Sequence, residues 1–562
     1  MFSLDEKIVN AKVDEILENG DKALSGLPYL YRSKGLPSEV YDVRMTEDID
    51  GDILNRAIAD TVIRYPYFNV KFEERDGDFY AVKNEKPLFA LNTKELVPLG
   101  GHSNSKHLMG ITYWNNSLRL SFHHGLTDGR GAKNFLETLV QFYADYKNAS
   151  EAEYDDVYQK HLEVAAGLSE EEMIDPCENK IELNGKSEKI EGLAGKGYKL
   201  PETADKSEHR RYELKFSQSE FMAKCKEIGA SPITMLSILM SKGIKAACPD
   251  SDKPVVSNFP MDARAILGCD KTFKNCVKSM TLPYGEGEMA LSDSEIAAKY
   301  KELLSAQKDH DYCAKEFNNI NMLLGIIGHF HSFAGRQKLL GFMENLALDT
   351  YLISYIGQFN MPSELVSEVH LYSNCSSGLV LNMTCQSGYF VIDLTQDFKT
   401  DKYVEALKEQ FALAGIELLC SSEIFFETPF DELHEIITSA TDTGEQIKGW
   451  FEKAMAAAAA SSEAAKAAAA SEEAARERAE ADRRCVEEAK AAADRKRIEA
   501  EKAGAARKRI EAEKAGAASA GPKVTALYYD VATGTMKEFD PTKNTQEEMQ
   551  KLVQNTQSLF IS

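Results

Sequence analysis

Apolar positions along the chain change period several times, and each change marks an element. Between 48 and 64, Ile53, Leu54, Ala57, Ile58 and Val62 recur at helical spacing. The stretch predicts an amphipathic helix capped by Asp50 or Asp52 and stopped by Pro66. Residues 68–74 and 78–83 flank Asp76-Gly77 and predict a hairpin. A second hairpin is predicted from 108–114 and 117–122 across Asn115-Asn116, with Leu118, Leu120 and Phe122 alternating on one face. Phe135, Leu136, Leu139, Val140 and Tyr143 then place a helix from Gly129 to about Tyr146.

From 149 to about 211 the chain is polar and acidic, and reads as a long crossover between two halves. Regular patterning returns with helices at 232–247 and 294–306 and strands at 254–260 and 350–358. A hairpin at 379–385 and 389–395 and a helix at 401–414 follow. That last group echoes the hairpin and helix of 108–146, with acidic residues where the first copy has histidines.

Past Thr441 the composition shifts. Residues 454–520 are mostly alanine, glutamate, lysine and arginine, and 495–506 repeats identically at 507–518. Large apolar residues are nearly absent and the repeat fits no supercoil period. A solvated helical spacer is expected, held by propensity and i,i+4 charge pairs. Self-association or a coiled coil through 454–520 is the alternative use. The tail carries a strand pattern at 524–529, a turn at Thr533-Gly534 and a helix pattern from Thr545.

Chemistry concentrates at the end of the second hairpin, in Ser121-Phe122-His123-His124-Gly125-Leu126-Thr127-Asp128-Gly129. Side chains alternate along a strand, so only one of the two histidines can face a given cavity. A neutral imidazole, with a pKa of about 6.5, suits proton abstraction near neutral pH. His124 is the candidate base, and His123 its support. The turn at 125–127 can direct Asp128 away from the imidazole, so Asp128 is expected to brace the loop by pairing with Arg264. Ser354 or Tyr355, on the apolar strand at 350–358, could donate to a tetrahedral intermediate. Moving an acyl group from a thioester to an alcohol or amine needs such a base and such a donor, and no covalent enzyme intermediate.

Charge and cysteine usage narrow the class. A formal net charge of −23 argues against nucleic acid and against an anionic membrane surface as partners. The ten cysteines contain no C-x-x-C pair, so reduced thiols are expected in place of a zinc ribbon or a disulfide framework. No apolar run approaches the ~18–20 residues of a membrane span, and residues 1–20 carry no secretory-signal core. A cytoplasmic location is expected.

The motif His-His-x-x-x-Asp-Gly at 123–129 resembles the signature of the chloramphenicol-acetyltransferase-like superfamily. That group includes nonribosomal-peptide condensation domains, alcohol acetyltransferases and plant BAHD-type acyltransferases. The likeness extends to the helix ending at Tyr65-Pro66, to 258–264 with Arg264, to Asn275-Cys276 and to Ile353-Ser354-Tyr355-Ile356-Gly357, covering about residues 20 to 430. It implies an α/β fold of two similar halves around a central tunnel. On this reading 1–210 carries the motif and the crossover, 211–440 is the second half, 441–520 the spacer helix and 521–562 a small strand–helix tail. His124 would be the base and Ser354 the donor, with His123, Asp128, Gly129 and Arg264 supporting the site. The implied reaction moves an acyl group from acyl-CoA, a co-substrate and not a bound cofactor, to a hydroxyl or amine of a small-molecule acceptor. A carrier-protein thioester is the alternative donor. A non-catalytic interaction protein working through its spacer and tail is the alternative of another class. No metal is expected. The chain departs from the plant pattern in lacking Asp-Phe-Gly-Trp-Gly and in having Tyr355 where asparagine is common; it also has no recognisable adenylation or carrier domain.

Overall fold

The computed structural model describes residues 4–433 except 32–37, 76–77, 186–189, 194–195, 205–207, 252, 329–348, 374–377, 425 and 428–431, together with 526–530 and 535–539. The chain divides into two units, 1–443 and 444–562.

In the first unit the strands are β1 (Asp21–Lys22), β2 (Ser38–Met45), β3 (Val70–Arg75), β4 (Asp78–Lys83), β5 (Ala90–Asn92), β6 (Met109–Trp114), β7 (Ser117–His123), β8 (Arg210–Ser217), β9 (Val255–Asp262), β10 (Val277–Tyr284), β11 (Tyr351–Gln358), β12 (Val366–Ser373), β13 (Leu379–Gln386), β14 (Tyr389–Gln396) and β15 (Leu418–Ile424). They form a small sheet of β1-β4-β3, a five-stranded sheet of β12-β2-β7-β6-β5 and a seven-stranded sheet of β10-β9-β11-β13-β14-β8-β15. In the seven-stranded sheet β11 runs parallel to both β9 and β13, and the other pairs are antiparallel.

Most of the elements expected from periodicity are present. The first amphipathic helix runs Gly51–Arg64, and Asp50 caps it by accepting from the amides of Asp52 at 2.9 Å and Ile53 at 3.1 Å. Its buried Leu54, Ala57 and Ile58 pack with the helix Gly129–Asn148, whose Phe135, Leu136, Leu139 and Val140 are fully buried. The segment read as a crossover, 149–211, also carries regular structure. It contains the helix Tyr154–Ala165 and is pinned by polar anchors: the buried imidazole of His161 meets Asp60 at 2.7 Å, and Arg64 donates to Glu172 at 2.9 and 3.1 Å. Apolar periodicity carries no trace of anchors of this kind.

Strand β12 comes from the second half of the sequence but pairs along its length with β2 of the first, Val369 beside Val43 and Leu371 beside Tyr41. It also rests on the seven-stranded sheet, where the Thr395 hydroxyl donates to the Ser373 carbonyl at 2.7 Å and the Leu371 amide to Asp393 at 3.2 Å. Here the two sheets meet on a charged seam. Leu214, Leu381 and Ile392 point to the apolar core of the second half, while their neighbours Glu213, Asn382 and Asp393 turn the other way. Arg211 donates to Asp393 at 2.8 and 2.6 Å, and His370 of β12 lies 3.2 Å from Asp393 and 3.5 Å from Glu213. Burial opposes the imidazolium, Asp393 and Glu213 outweigh it, and the His370 pKa is pushed up to about 10. Asp42 of β2 is similarly buried, but Arg44 and Arg119 prevail and hold its pKa down to about 2.

In the second unit Ala526–Asp530 pairs antiparallel with Thr535–Phe539, which meets the strand expected at 524–529. The alanine-rich helix, its self-association through 454–520 and the helix from 545 lie outside the described residues. No helix among the described residues is long and apolar enough to cross a membrane.

Candidate active site

The site starts from the alternation of β7. Leu118, Leu120 and Phe122 bury one face of the strand. His123, its last residue, points to the other face, where its ring meets Phe72 edge-on and its Nδ1 accepts from the Gly125 amide at 2.8 Å. The chain then turns, the Leu126 amide donating to the His123 carbonyl at 2.9 Å. The turn is packed backbone against backbone: a Cβ on Gly26 would overlap the Gly125 carbonyl. Gly129, the first residue of its helix, is approached by side chains, since a Cβ there would lie 2.8 Å from Ile356 of β11 and 3.1 Å from the Tyr41 hydroxyl.

His124 lies just past the strand end and is held on three sides. Tyr29 stacks on the imidazole with ring centroids 4.2 Å apart and planes within 7°. The Asn275 amide group spans the residue, donating from Nδ2 to the His124 carbonyl at 2.5 Å and presenting Oδ1 to Nδ1 at 3.0 Å. In the tautomer whose Nδ1–H donates to this Oδ1, Nε2 is the acceptor nitrogen. Nε2 faces the Glu39 carboxylate of β2 at 3.3 Å, and the two side chains keep 14% and 15% of their exposure.

Asp128 is fully buried and turned away from the imidazole. It caps the helix Gly129–Asn148 by accepting from the Gly131 amide at 3.0 Å, and accepts from Arg264 at 2.9 Å and from the Cys276 amide at 3.0 Å. Arg264 is 1% exposed and also donates to the carbonyls of Thr272 and Lys274, each at 2.8 Å, and to Asp262 at 3.0 Å. Burial works against its charge, but Asp128 more than compensates and raises the guanidinium pKa above its usual value. The same ion pair thus fixes the motif loop and shapes the segment that delivers Asn275.

The structure brings His123, His124, Asp128, Gly129 and Arg264 together. Ser354 lies on the face of β11 that carries Ile356, which reaches Gly129, and is 5% exposed. No hydrogen bond joins it to His124 among the described residues. Tyr355, the other donor considered, points to the opposite face and packs against Phe390 in the core of the second half. Tyr29, Glu39 and the role of Asn275 were missed from sequence. Tyr29 sits in the one-turn helix Leu27–Leu30 and Asn275 in an irregular segment, both too short to leave a periodic pattern, and the Ser38–Met45 strand was not recognised.

A cleft of about 670 Å3 is lined by Lys22, Leu24, Leu27, Lys180, Asn318 and Leu324, but not by the motif residues, and its Lys22 is bound to Asp78 at 2.6 Å. Among the described residues, Glu213, His370 and Asp393 are close enough together to hold a metal ion. Their charges are already matched by Arg211 and by the raised imidazole, so they fit a charge network better than a metal site.

No protein-family model matches the chain, and no curated protein matches it. Among solved structures it is similar to the EpoB NRPS cyclization-docking bidomain from Sorangium cellulosum, at 16% identity over 70% of this chain and 84% of that one, with a TM-score of 0.46. It is similar to polyketide synthase associated protein 5 from Mycobacterium tuberculosis, at 13% identity over 69% and 96% of the two chains, with a TM-score of 0.44. F. sporotrichioides TRI101, complexed with Coenzyme A and T-2, aligns at 11% identity over 72% and 99%, with a TM-score of 0.43. Likenesses this distant carry no argument about the reaction. The similar structures also include the condensation domain from Monacolin K polyketide synthase MokA and the first condensation domain of the CDA synthetase.

Proposed function

We propose that the protein is an acyltransferase that moves an acyl group from acyl-CoA to a hydroxyl or amine acceptor by direct transfer. The observation that carries this reading is the clamp on His124. An amide holds Nδ1 and the backbone carbonyl of the same residue, so Nε2 is left as an oriented base at a partly open edge. Nε2 takes the acceptor's proton as the nucleophile attacks the thioester carbonyl. The imidazolium then returns that proton to the departing sulfur, and no group on the enzyme is acylated. A base so placed contributes roughly 10²–10⁴ in rate. Ser354 is the proposed donor to the tetrahedral intermediate, a role worth about 10²–10³. Asp128, Arg264, His123 and Gly129 hold the loop. The two halves, 1–210 and 211–440, are proposed to enclose the path along which donor and acceptor meet.

The test is thiol release by the full chain with acyl-CoA donors and a panel of small alcohols and amines, for wild type and His124→Ala. Loss of release in the variant, with its fold intact by circular dichroism, is the expected result; equal release overturns the reading. Running the same acyl groups as carrier-protein thioesters decides between the two donors.

A further inference from the structure

Among the described residues, the acid facing His124 belongs to no ion pair with a lysine or arginine. Four buried or half-buried carboxylates are matched to arginine, Asp42 to Arg44 at 3.0 Å, Asp128 to Arg264 at 2.9 Å, Glu172 to Arg64 at 2.9 Å and Asp393 to Arg211 at 2.6 Å, whereas Asp60 and Asp397, like Glu39, face a histidine. Among the described residues, Glu39 has only the His124 imidazole, at 3.3 Å. It is also rigidly placed. Its strand, β2, is paired on both sides, with Ser38 and Glu39 beside His123 and Phe122 of β7 and Glu39 beside Ser373 of β12.

A nucleophile that gives its proton to Nε2 must therefore sit beside this carboxylate. Both groups accept hydrogen bonds, and an alcohol has one O–H. Donated to Nε2, that proton leaves the hydroxyl lone pairs against the carboxylate. A primary amine keeps a second N–H for Glu39, and as an ammonium it also brings the cation that the carboxylate lacks. Resting on the acyl-transfer reading above, we infer that Glu39 is a specificity-determining residue and that the acceptor is a primary amine.

The step balances. The ammonium loses its first proton to water by way of the Glu39 carboxylate. The amine nitrogen forms its bond to the thioester carbon, its second proton passes to His124 Nε2, the carbon–sulfur bond breaks, and the imidazolium proton goes to sulfur. Ammonium and thioester become amide, thiol and one released proton.

The experiment uses the full chain, acetyl-CoA and octanoyl-CoA, and two matched acceptor pairs: 2-phenylethylamine with 2-phenylethanol, and hexylamine with hexanol. The readout is the amine-to-alcohol ratio of kcat/KM. The expected ratio is about tenfold or more in favour of the amine, falling by about tenfold in Glu39→Gln, because a group built to receive an N–H discriminates against an analogue lacking it. Glu39→Asp withdraws the same carboxylate by one methylene and carries the test if E39Q does not fold; it too must lower the ratio. Alcohols used as well as amines, or a ratio unmoved by the variants, overturns the inference and leaves acyl transfer standing. Thiol release no faster than that of His124→Ala with every acceptor overturns the acyl-transfer reading, and the inference with it.

Discussion

From His123 to Gly129 the chain leaves β7 and enters a helix; from Gln396 to Lys402 it leaves β14 and enters another, with the same number of residues between. His124 thus stands where Asp397 stands, and Asp128 where Asp401 stands. The first connection is tied into the rest of the molecule. Asn275 spans His124, and Asp128 takes hydrogen bonds from Gly131, Arg264 and Cys276. The second closes mainly on itself. Gln396 folds its amide back onto the carbonyls of Phe398 at 2.6 Å and Thr400 at 2.5 Å, Asp397 meets His209 at 2.9 Å, and Asp401 is exposed and makes no side-chain cap. A hairpin-to-helix turn of this length therefore needs neither a histidine at its first position nor a buried, capping acid at its last. In the first connection the motif histidine and the buried Asp128–Arg264 pair are held by segments more than a hundred residues away.

The comparison breaks most visibly at the paired positions. His124→Ala should cut turnover by roughly 10²–10⁴ while leaving the fold in place, and Asp397→Asn should leave turnover intact. Steady-state kinetics on both variants checks this. Next comes the brace. Arg264→Met leaves Asp128 buried with its charge uncompensated and should cost about 3–5 kcal/mol in denaturant unfolding. At the exposed counterpart, Asp401→Asn should stay within about 0.5 kcal/mol. Asn275→Ala removes both bonds to His124; a stability loss of about 1 kcal/mol with a larger fractional loss of kcat would separate orienting the ring from holding the loop. The seam sharpens the contrast between histidines. The folded pKa of His370, about 10, exceeds its ordinary 6.5, so its contribution to stability is complete below 6.5 and is lost as pH rises through 10. Melting temperatures across that window should fall in the wild type, and His370→Gln should flatten the decline.

Local pattern in the sequence carried much of this. The hairpin β6–β7, the two amphipathic helices, the strand at 351–358 and the second hairpin all follow from period and turn residues. So did the Asp128–Arg264 contact, because a carboxylate displaced by a turn needs a counter-ion and Arg264 follows a strand end. The rest is tertiary in origin. β12 alternates only loosely, and its partner β2 lies some three hundred residues away. Glu39 looks like any charged strand residue until β7 sets His123 and His124 alongside it. Asn275 reaches His124 only because Arg264 binds the carbonyls of Thr272 and Lys274 and so folds the segment before it. The seam reads as scattered polar residues in otherwise apolar strands, and only the sheet-on-sheet contact reveals their pairing.

The borrowed strand β12 also sets an order in time. During synthesis β2 gains its β7 neighbour soon after residue 123 emerges, but its other edge stays open until residue 373 has been made. At about 5–20 residues per second that wait is on the order of tens of seconds. For that interval the half that carries the histidines presents an unpaired strand edge, including the strand that bears Glu39. The nascent chain is then most open to pairing with the wrong strand. Its first sheet can be completed only once most of its second half exists.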